Sequence, residues 1–584
     1  MVALTDAPAQ VPTSAQPVPD EQLQDAAAES PAITTRTEMA REAIAASGTL
    51  PADRLLWHIP DPEWDRPVAV ELLEKARAAK DAALVAQLSR IIERIDSVRR
   101  PDKQVRLTLD EVLHRTLANN YTIEVANFGP AIETTRIVEA EAAFDAVFFT
   151  SVTKNKQDQP TGSQLAAGDL DAFQLSSGVR KQLPSGATVS GTYEMTRTKT
   201  TLQFQQINPE YNNNLALALR QPLLRRFGQD YNRSFIVIAE KNHSLSEFTL
   251  ERQVRDVLRQ VEELYWRRVE ARRNVVITAR LIAGFEQIYE YLLARQDFDV
   301  TPVQLAATKA NLEQSRAEFI RVRATVLDAE DQLIAAMNDP SLNLADHPEI
   351  IPEDFPTLER IHVDRLAEVQ TALDNRSEVR EQKLRIDIAR LVVGQAKNEQ
   401  LPQFDLVFQY TIAGLAGNAD KAFDELSRHN YVDYFVGVEF EMPIGNRGPR
   451  AAHRRAELQH RQAIAQLKAV YEEVIFDVNR SVRLLDTSYD QIVPAFEAAQ
   501  AREREVDSIV ARAERKDINT LTTELNARQA LAAARRAMLQ NMVNYNISII
   551  DLERAKGTLL RYNQIEVPIS DRESANRDIV APKE

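Results

Sequence analysis

The sequence predicts a mainly α-helical protein with β-structure, internally duplicated, in which long α-helical hairpins alternate with β-hairpins. Three observations carry that reading. The pattern Phe-Asp-x-Val-Phe occurs twice, as Phe144, Asp145, Val147, Phe148 and as Phe404, Asp405, Val407, Phe408. Each copy follows a helical stretch, opens a run of alternating apolar and polar residues, and is closed by a proline turn, Gln221-Pro222-Leu223 or Met442-Pro443-Ile444-Gly445. About seventy residues of helical periodicity then follow each turn. With 16 glycines and 6% aromatics in 584 residues, long helices fit better than a turn-rich multidomain enzyme.

Composition narrows the class further. A formal charge of -15 counts against a nucleic-acid partner, because phosphate binding needs a basic face. There is no cysteine, which removes disulfides, thiolate metal sites and a cysteine nucleophile. No run of about 18 apolar residues occurs, so membrane residence requires a closed β-barrel. No secretory signal is visible in the first twenty residues, which at face value counts against export.

Taken in order, residues 1–50 are rich in Ala, Pro, Gln and Glu and are expected to form a disordered arm. Residues 51–106 form a helical extension, with one amphipathic helix predicted over 62–99 from Val70, Leu73, Ala76, Leu84, Leu88, Ile91 and Ile95. The first repeat, 107–345, starts with Thr108 as an N-cap and a helix running to about Ala142. Its strands span about 143–222 and its helices about 228–338. A connector, 346–365, contains Pro348, Pro352 and Pro356. The second repeat, 366–565, has strands at about 404–443 and helices at about 448–563, and a tail occupies 566–584.

Strand periodicity is plain in the second repeat. Leu406, Phe408, Tyr410 and Ile412 share one face with the returning Val432, Tyr434, Val436, Val438, Phe440 and Met442. Tetrad and proline turn lie 78 positions apart in repeat one and 39 in repeat two, a difference of one hairpin. The turn Leu183-Pro184-Ser185-Gly186 and the alternating Val189, Gly191, Tyr193 and Met195 mark that hairpin, which either joins the other strands or folds outside them, a choice that surface labelling at Ser185 tests. In the long helices Val254, Leu258, Val261, Tyr265 and Leu467, Tyr471, Val474, Val478 keep the 4,3,4 spacing of a coiled-coil seam, broken at Arg268.

The order of these elements, with Leu-Thr-Leu-Asp-Glu at 107–111 and Met442-Pro443-Ile444-Gly445-Asn446-Arg447, resembles the TolC family of outer-membrane channel proteins over about 107–565. The resemblance implies a homotrimer whose strands share one outer-membrane β-barrel and whose helices form a periplasmic α-barrel. It implies an exit duct of a tripartite efflux pump or type I secretion system, in outer-membrane lipid, docking a periplasmic adaptor and an inner-membrane transporter. The strand-helix turns are then Pro222, Pro443 and Gly445. Asp299, Thr301, Asp517 and Asn519 are expected at the adaptor-contact hairpin tips. Thr523, Glu524 and Asn526 are expected to line the periplasmic gate, where Thr523 and Asn526 replace the acidic residues of the best-known members. Six strands exceed the family's usual four per chain.

Enzyme function is not expected. The eight histidines show no paired metal spacing, and neither a phosphate-binding glycine loop nor a Gly-x-Ser-x-Gly elbow occurs, so no catalytic, metal or cofactor residues are assigned. The alternative is a soluble coiled-coil scaffold, which needs the helices but not the strands.

Overall fold

A computed structural model describes residues 66–99, 104–160, 168–202, 205–512 and 518–566. The 1–50 arm, the 51–65 start of the extension and nearly all of the 566–584 tail lie outside the described residues. The extension is a helical pair rather than one helix: α1 (Arg66–Ala78) and α2 (Ala82–Asp96). Lys80 takes a left-handed φ of 56° between them, and Asp81 caps α2 by accepting from the Leu84 N–H at 3.1 Å.

Repeat one opens with β1 (Gln104–Leu107), α3 (Leu109–Asn119) and α4 (Tyr121–Glu141). Thr108 and Glu111 form the capping box that starts α3. The single helix expected to about Ala142 is instead broken at Asn120, whose side chain accepts from the N–H groups of Thr122 and Ile123 and donates to the Ala336 carbonyl. Strands β2 (Ala146–Asp158), β3 (Asp169–Gln182), β4 (Thr188–Thr200) and β5 (Glu210–Pro222) follow. The long helix α5 (Ser234–Ala294) is continuous for 61 residues, about 92 Å at helical rise, and α6 (Pro302–Met337) returns along it.

The connector is not wholly irregular, because β6 (Glu349–Pro352) pairs in parallel with β1. Repeat two has α7 (Arg365–Asn375), α8 (Ser377–Asn398), β7 (Gln403–Ala416), α9 (Ala419–Ser427), β8 (Tyr431–Glu441), α10 (Arg447–Asp490), α11 (Ile492–Arg512) and α12 (Ile518–Lys556). In the second long helical stretch, from about 448, the first helix stops at Asp490. Pro494 has no N–H for the Asp490 carbonyl and its ring crowds that carbonyl, so α11 starts as a separate helix. Helix α9 was not expected.

Both repeats thus have the predicted plan of helices, β-hairpins and long helical hairpins. The cores lie between helices. One joins Val254, Leu258, Val261 and Tyr265 of α5 to Leu333 and Met337 of α6 and Val543 and Ile547 of α12. Another joins Val474, Val478 and Val482 of α10 to Met542, Tyr545 and Ile549 of α12. The α1–α2 pair lies on α5 through Ile91 and Ile95, against Val275, Val276 and Val326.

Candidate functional site: a two-faced sheet on a helical shaft

The six long strands form one antiparallel sheet in the order β2-β3-β4-β5-β7-β8. Register fixes which residues share a face. Phe148, Val179, Gly191, Leu217, Tyr410 and Tyr434 make one cross-strand row, and Val436, Phe408, Leu219 and Val189 make the next row of the same face. The opposite face carries Gln174, Glu194, Thr192, Asn212, Asn214, Gln409, Thr411 and Asp433. The row from Val436 to Val189 continues to Lys181 and Ala146, so one face is mainly apolar across the six strands and the other mainly polar. On the apolar face Phe148 and Val152 of β2 and Tyr434, Val436, Val438 and Phe440 of β8 are exposed, a large apolar surface at both edges of the sheet.

The added hairpin β3–β4 lies within this sheet, between β2 and β5. Its turn, with Ser185, is at the helical end. The Ser185 hydroxyl donates to Gln221, its carbonyl accepts from the Gly228 N–H, and Gly186, at φ 91°, packs against the Arg226 carbonyl. At the opposite end α9 folds back onto the apolar face. Ala422 and Leu426 are buried against Gly414, and Phe423 meets Tyr193 edge to face at 6.3 Å.

Strands hand over to helices through the proline turns. Pro222 ends β5 opposite Asp405, and Pro443-Ile444-Gly445 follows β8, with Gly445 at φ 90° and Asn446 donating to the Gln400 carbonyl. Arg220 spans the polar face here, 2.8 Å from Asp405 and 2.5 Å from Glu439. Just below, Glu399 accepts from Arg225, Arg226 and Tyr231. Burial alone would raise the Glu399 carboxyl, and these three donors hold it below its usual range instead. Burial and the same carboxylate push the Tyr231 hydroxyl up to about 12. The Arg225-Arg226 pair is therefore a brace across the junction.

At the far end of the shaft Asp299 and Thr301 are exposed between α5 and α6. Asp299 is paired with Arg295, and Thr301 forms a capping box with Gln304. Asp517 lies outside the described residues, and Asn519 lies in the first turn of α12. Thr523 and Asn526 are exposed, whereas Glu524 is only 6% exposed and pairs with Arg528 at 2.7 Å. The structure therefore separates Glu524 from the other two. Arg528 in turn lies against Gly284, with Cδ 3.1 Å from where a Cβ would stand.

Sequence reasoning missed the charged waist of the molecule. Arg268, 1% exposed, donates to the Val326 and Ile350 carbonyls and to Glu330, and Arg272 pairs with Glu349 at 2.9 Å. Burial, with Arg268 nearby, lowers the Arg272 guanidinium to about 9 despite Glu349. Burial and Asp354 push the Tyr265 hydroxyl well above its usual range. The one signal available was Arg268 at an apolar seam position.

Among the described residues no helix is long and apolar enough to cross a membrane, and no group of His, Cys, Asp and Glu is arranged to hold a metal. Residues 369–558 match the protein family Outer membrane efflux protein. No curated protein matches the sequence. Among solved structures, the chain is similar to the Campylobacter jejuni CmeC outer membrane channel (16% identity, 80% of this chain and 88% of that one, TM-score 0.57). It is similar to the open state of the Neisseria gonorrhoeae MtrE outer membrane channel (14% identity, 79% and 91%, TM-score 0.56). It is also similar to the Vibrio cholerae outer membrane protein VceC (15% identity, 77% and 96%, TM-score 0.56). The resemblance read from the sequence and the fold class are borne out by these matches.

Proposed function

From a chain that carries an outer membrane efflux protein domain on the fold of outer-membrane channels, we propose that this protein is the exit duct of an export assembly. Three copies share one barrel in outer-membrane lipid and one helical tunnel below it. A tripartite efflux pump or type I secretion system supplies the energy through an inner-membrane transporter, and an adaptor docks near Asp299, Thr301, Asp517 and Asn519. The duct does no bond chemistry and offers a polar wall to the cargo.

The observation that carries this is the sheet: one face mainly apolar across six strands, the other mainly polar, with the apolar residues of both edge strands exposed. A soluble coiled-coil scaffold leaves that sheet without a role. Lipid covers the apolar face and water fills the polar side, the arrangement of a membrane barrel. Thr523 and Asn526, exposed beyond the tip of the second helical hairpin, line the narrowest part in this reading, and Glu524 holds Arg528 beside them. Purified full-length protein in a planar lipid bilayer is expected to give discrete conductance steps. A correctly folded trimer without conductance overturns the reading.

A further inference from the structure

The sheet ends in two open edges, β2 and β8, and the internal repeat supplies a rule for joining them. Within the chain, the end of repeat one meets the start of repeat two where β5 pairs antiparallel with β7. There Leu219 stands opposite Phe408 and Pro222 opposite Asp405. Phe440 precedes Pro443 by the same three positions as Leu219 precedes Pro222, and Phe148 ends its tetrad as Phe408 ends the other. β8 is therefore the counterpart of β5, and β2 of β7.

We propose that β8 of one copy pairs antiparallel with β2 of the next in that inherited register, Phe440 opposite Phe148. Three copies of six strands then close a single eighteen-strand barrel in which the added hairpin is wall. The proposal rests on the duct reading above.

Four observations support it. β2 leaves a helix and β8 leads into one, so the two edges run in opposite directions, as an antiparallel seam requires. Phe440 and Phe148 both belong to the apolar face, as do Val436 and Val152, which the same register sets opposite each other. The apolar belt thus continues across the seam without a change of face. Nearly every residue of both edges is exposed, and an open edge is not tolerated in lipid. Finally, β3 and β4 hold full-length registers to β2 and β5 and keep the faces in phase, with Val179 and Gly191 between Phe148 and Leu217. A hairpin folded outside the wall would have to leave that sheet.

Barrel diameter grows roughly linearly with strand number, so the outlet is about half as wide again as one built from four strands per copy. The extra strands widen the exit and leave the helical tunnel below unchanged.

The absence of cysteine makes the seam directly testable. In the detergent-solubilised full chain, the double variant Phe440→Cys/Phe148→Cys is expected to give covalent trimers on mild oxidation, because directly opposed Cα atoms lie within disulfide reach. Each single variant and the displaced pair Phe440→Cys/Val152→Cys are expected to give none. Trimers from the displaced pair instead overturn the register. In phosphatidylcholine liposomes, a membrane-impermeant maleimide is expected to label Glu194→Cys at least roughly tenfold faster than Met195→Cys, since neighbours on a barrel strand face water and lipid in turn. Equal rates place the hairpin off the wall and overturn the eighteen-strand closure even where trimers conduct. Failure to form any conducting trimer overturns the duct reading itself.

Discussion

At the seam position after Tyr265, a charged side chain replaces the expected apolar one, and its partners explain why. Arg268 reaches Glu330 at 2.8 Å, and the same carboxylate accepts from the Ile350 N–H at 2.7 Å, so the ion pair ties α5, α6 and β6 together. Removing one member of a buried pair strands the other, so Arg268→Ala is expected to cost about 3–5 kcal/mol in thermal or urea unfolding. Arg454→Ala, at an exposed pair with Glu457, is expected to cost under about 1 kcal/mol in the same assay. A half-buried carboxylate gives a pH signature. Burial alone would raise the Glu378 carboxyl, but the hydrogen bond and charge of Arg376 override it and bring the value to about 2. A depressed carboxyl stabilises the fold fully above its unfolded value of about 4.3 and loses that contribution as pH falls through the folded value. The contribution at neutral pH is roughly 3 kcal/mol, and Glu378→Gln is expected to remove it and flatten the acid limb between about pH 4 and pH 2. An unchanged acid limb in urea midpoints would rule this pair out as its source.

Among the elements, α9 depends on one absent side chain. A Cβ on Gly414 would stand 2.2 Å from the Ala422 carbonyl and 2.6 Å from the Leu426 nitrogen, both backbone atoms of the helix. Gly414→Val is therefore expected to lift α9 from the sheet while leaving β7 and β8 paired, seen as faster proteolysis confined to 417–430. That helix also marks where the sequence stopped being legible. Strands and their faces could be read because apolar residues alternate over ten or more positions, and the tetrads and proline turns set the order of elements. Nine residues of α9, and four each of β1 and β6, are too short for periodicity to separate them from loop. The helix break at Asn120 has a local signal, a preferred N-cap residue accepting from the Thr122 and Ile123 N–H groups, whereas its bond to the Ala336 carbonyl, 216 positions away, has none. The break before Pro494 was available from local chemistry, since the proline ring excludes the Asp490 carbonyl. At the tip, the family resemblance grouped Thr523, Glu524 and Asn526, and helical geometry turns Glu524 inward to Arg528 while Thr523 and Asn526 stay outside. Residue spacing gives position along a helix, and only packing decides which residue is covered.

On the scale of the whole molecule, a long shaft of paired helices carries a sheet whose two edge strands are exposed, and under the proposed closure the added hairpin sets how wide that sheet closes. Its removal can be designed without disturbing the faces. β3 and β4 together take two strands out of the row, and the residues left facing each other, Phe148 and Leu217, belong to the same apolar face. Replacing residues 159–209 by a short polar loop therefore joins β2 to β5 with the belt in phase, leaving four strands per copy. The hairpin turn also braces the junction, through Ser185 to Gln221 and Gly228, so the deletion is expected to lower stability as well. Width and stability are read separately. In planar bilayers, the largest polyethylene glycol that enters the outer mouth and lowers conductance is expected to fall in radius by about one third in the deletion trimer, following strand number. An unchanged cut-off in a deletion protein that still conducts would mean that β3 and β4 never lined the pore.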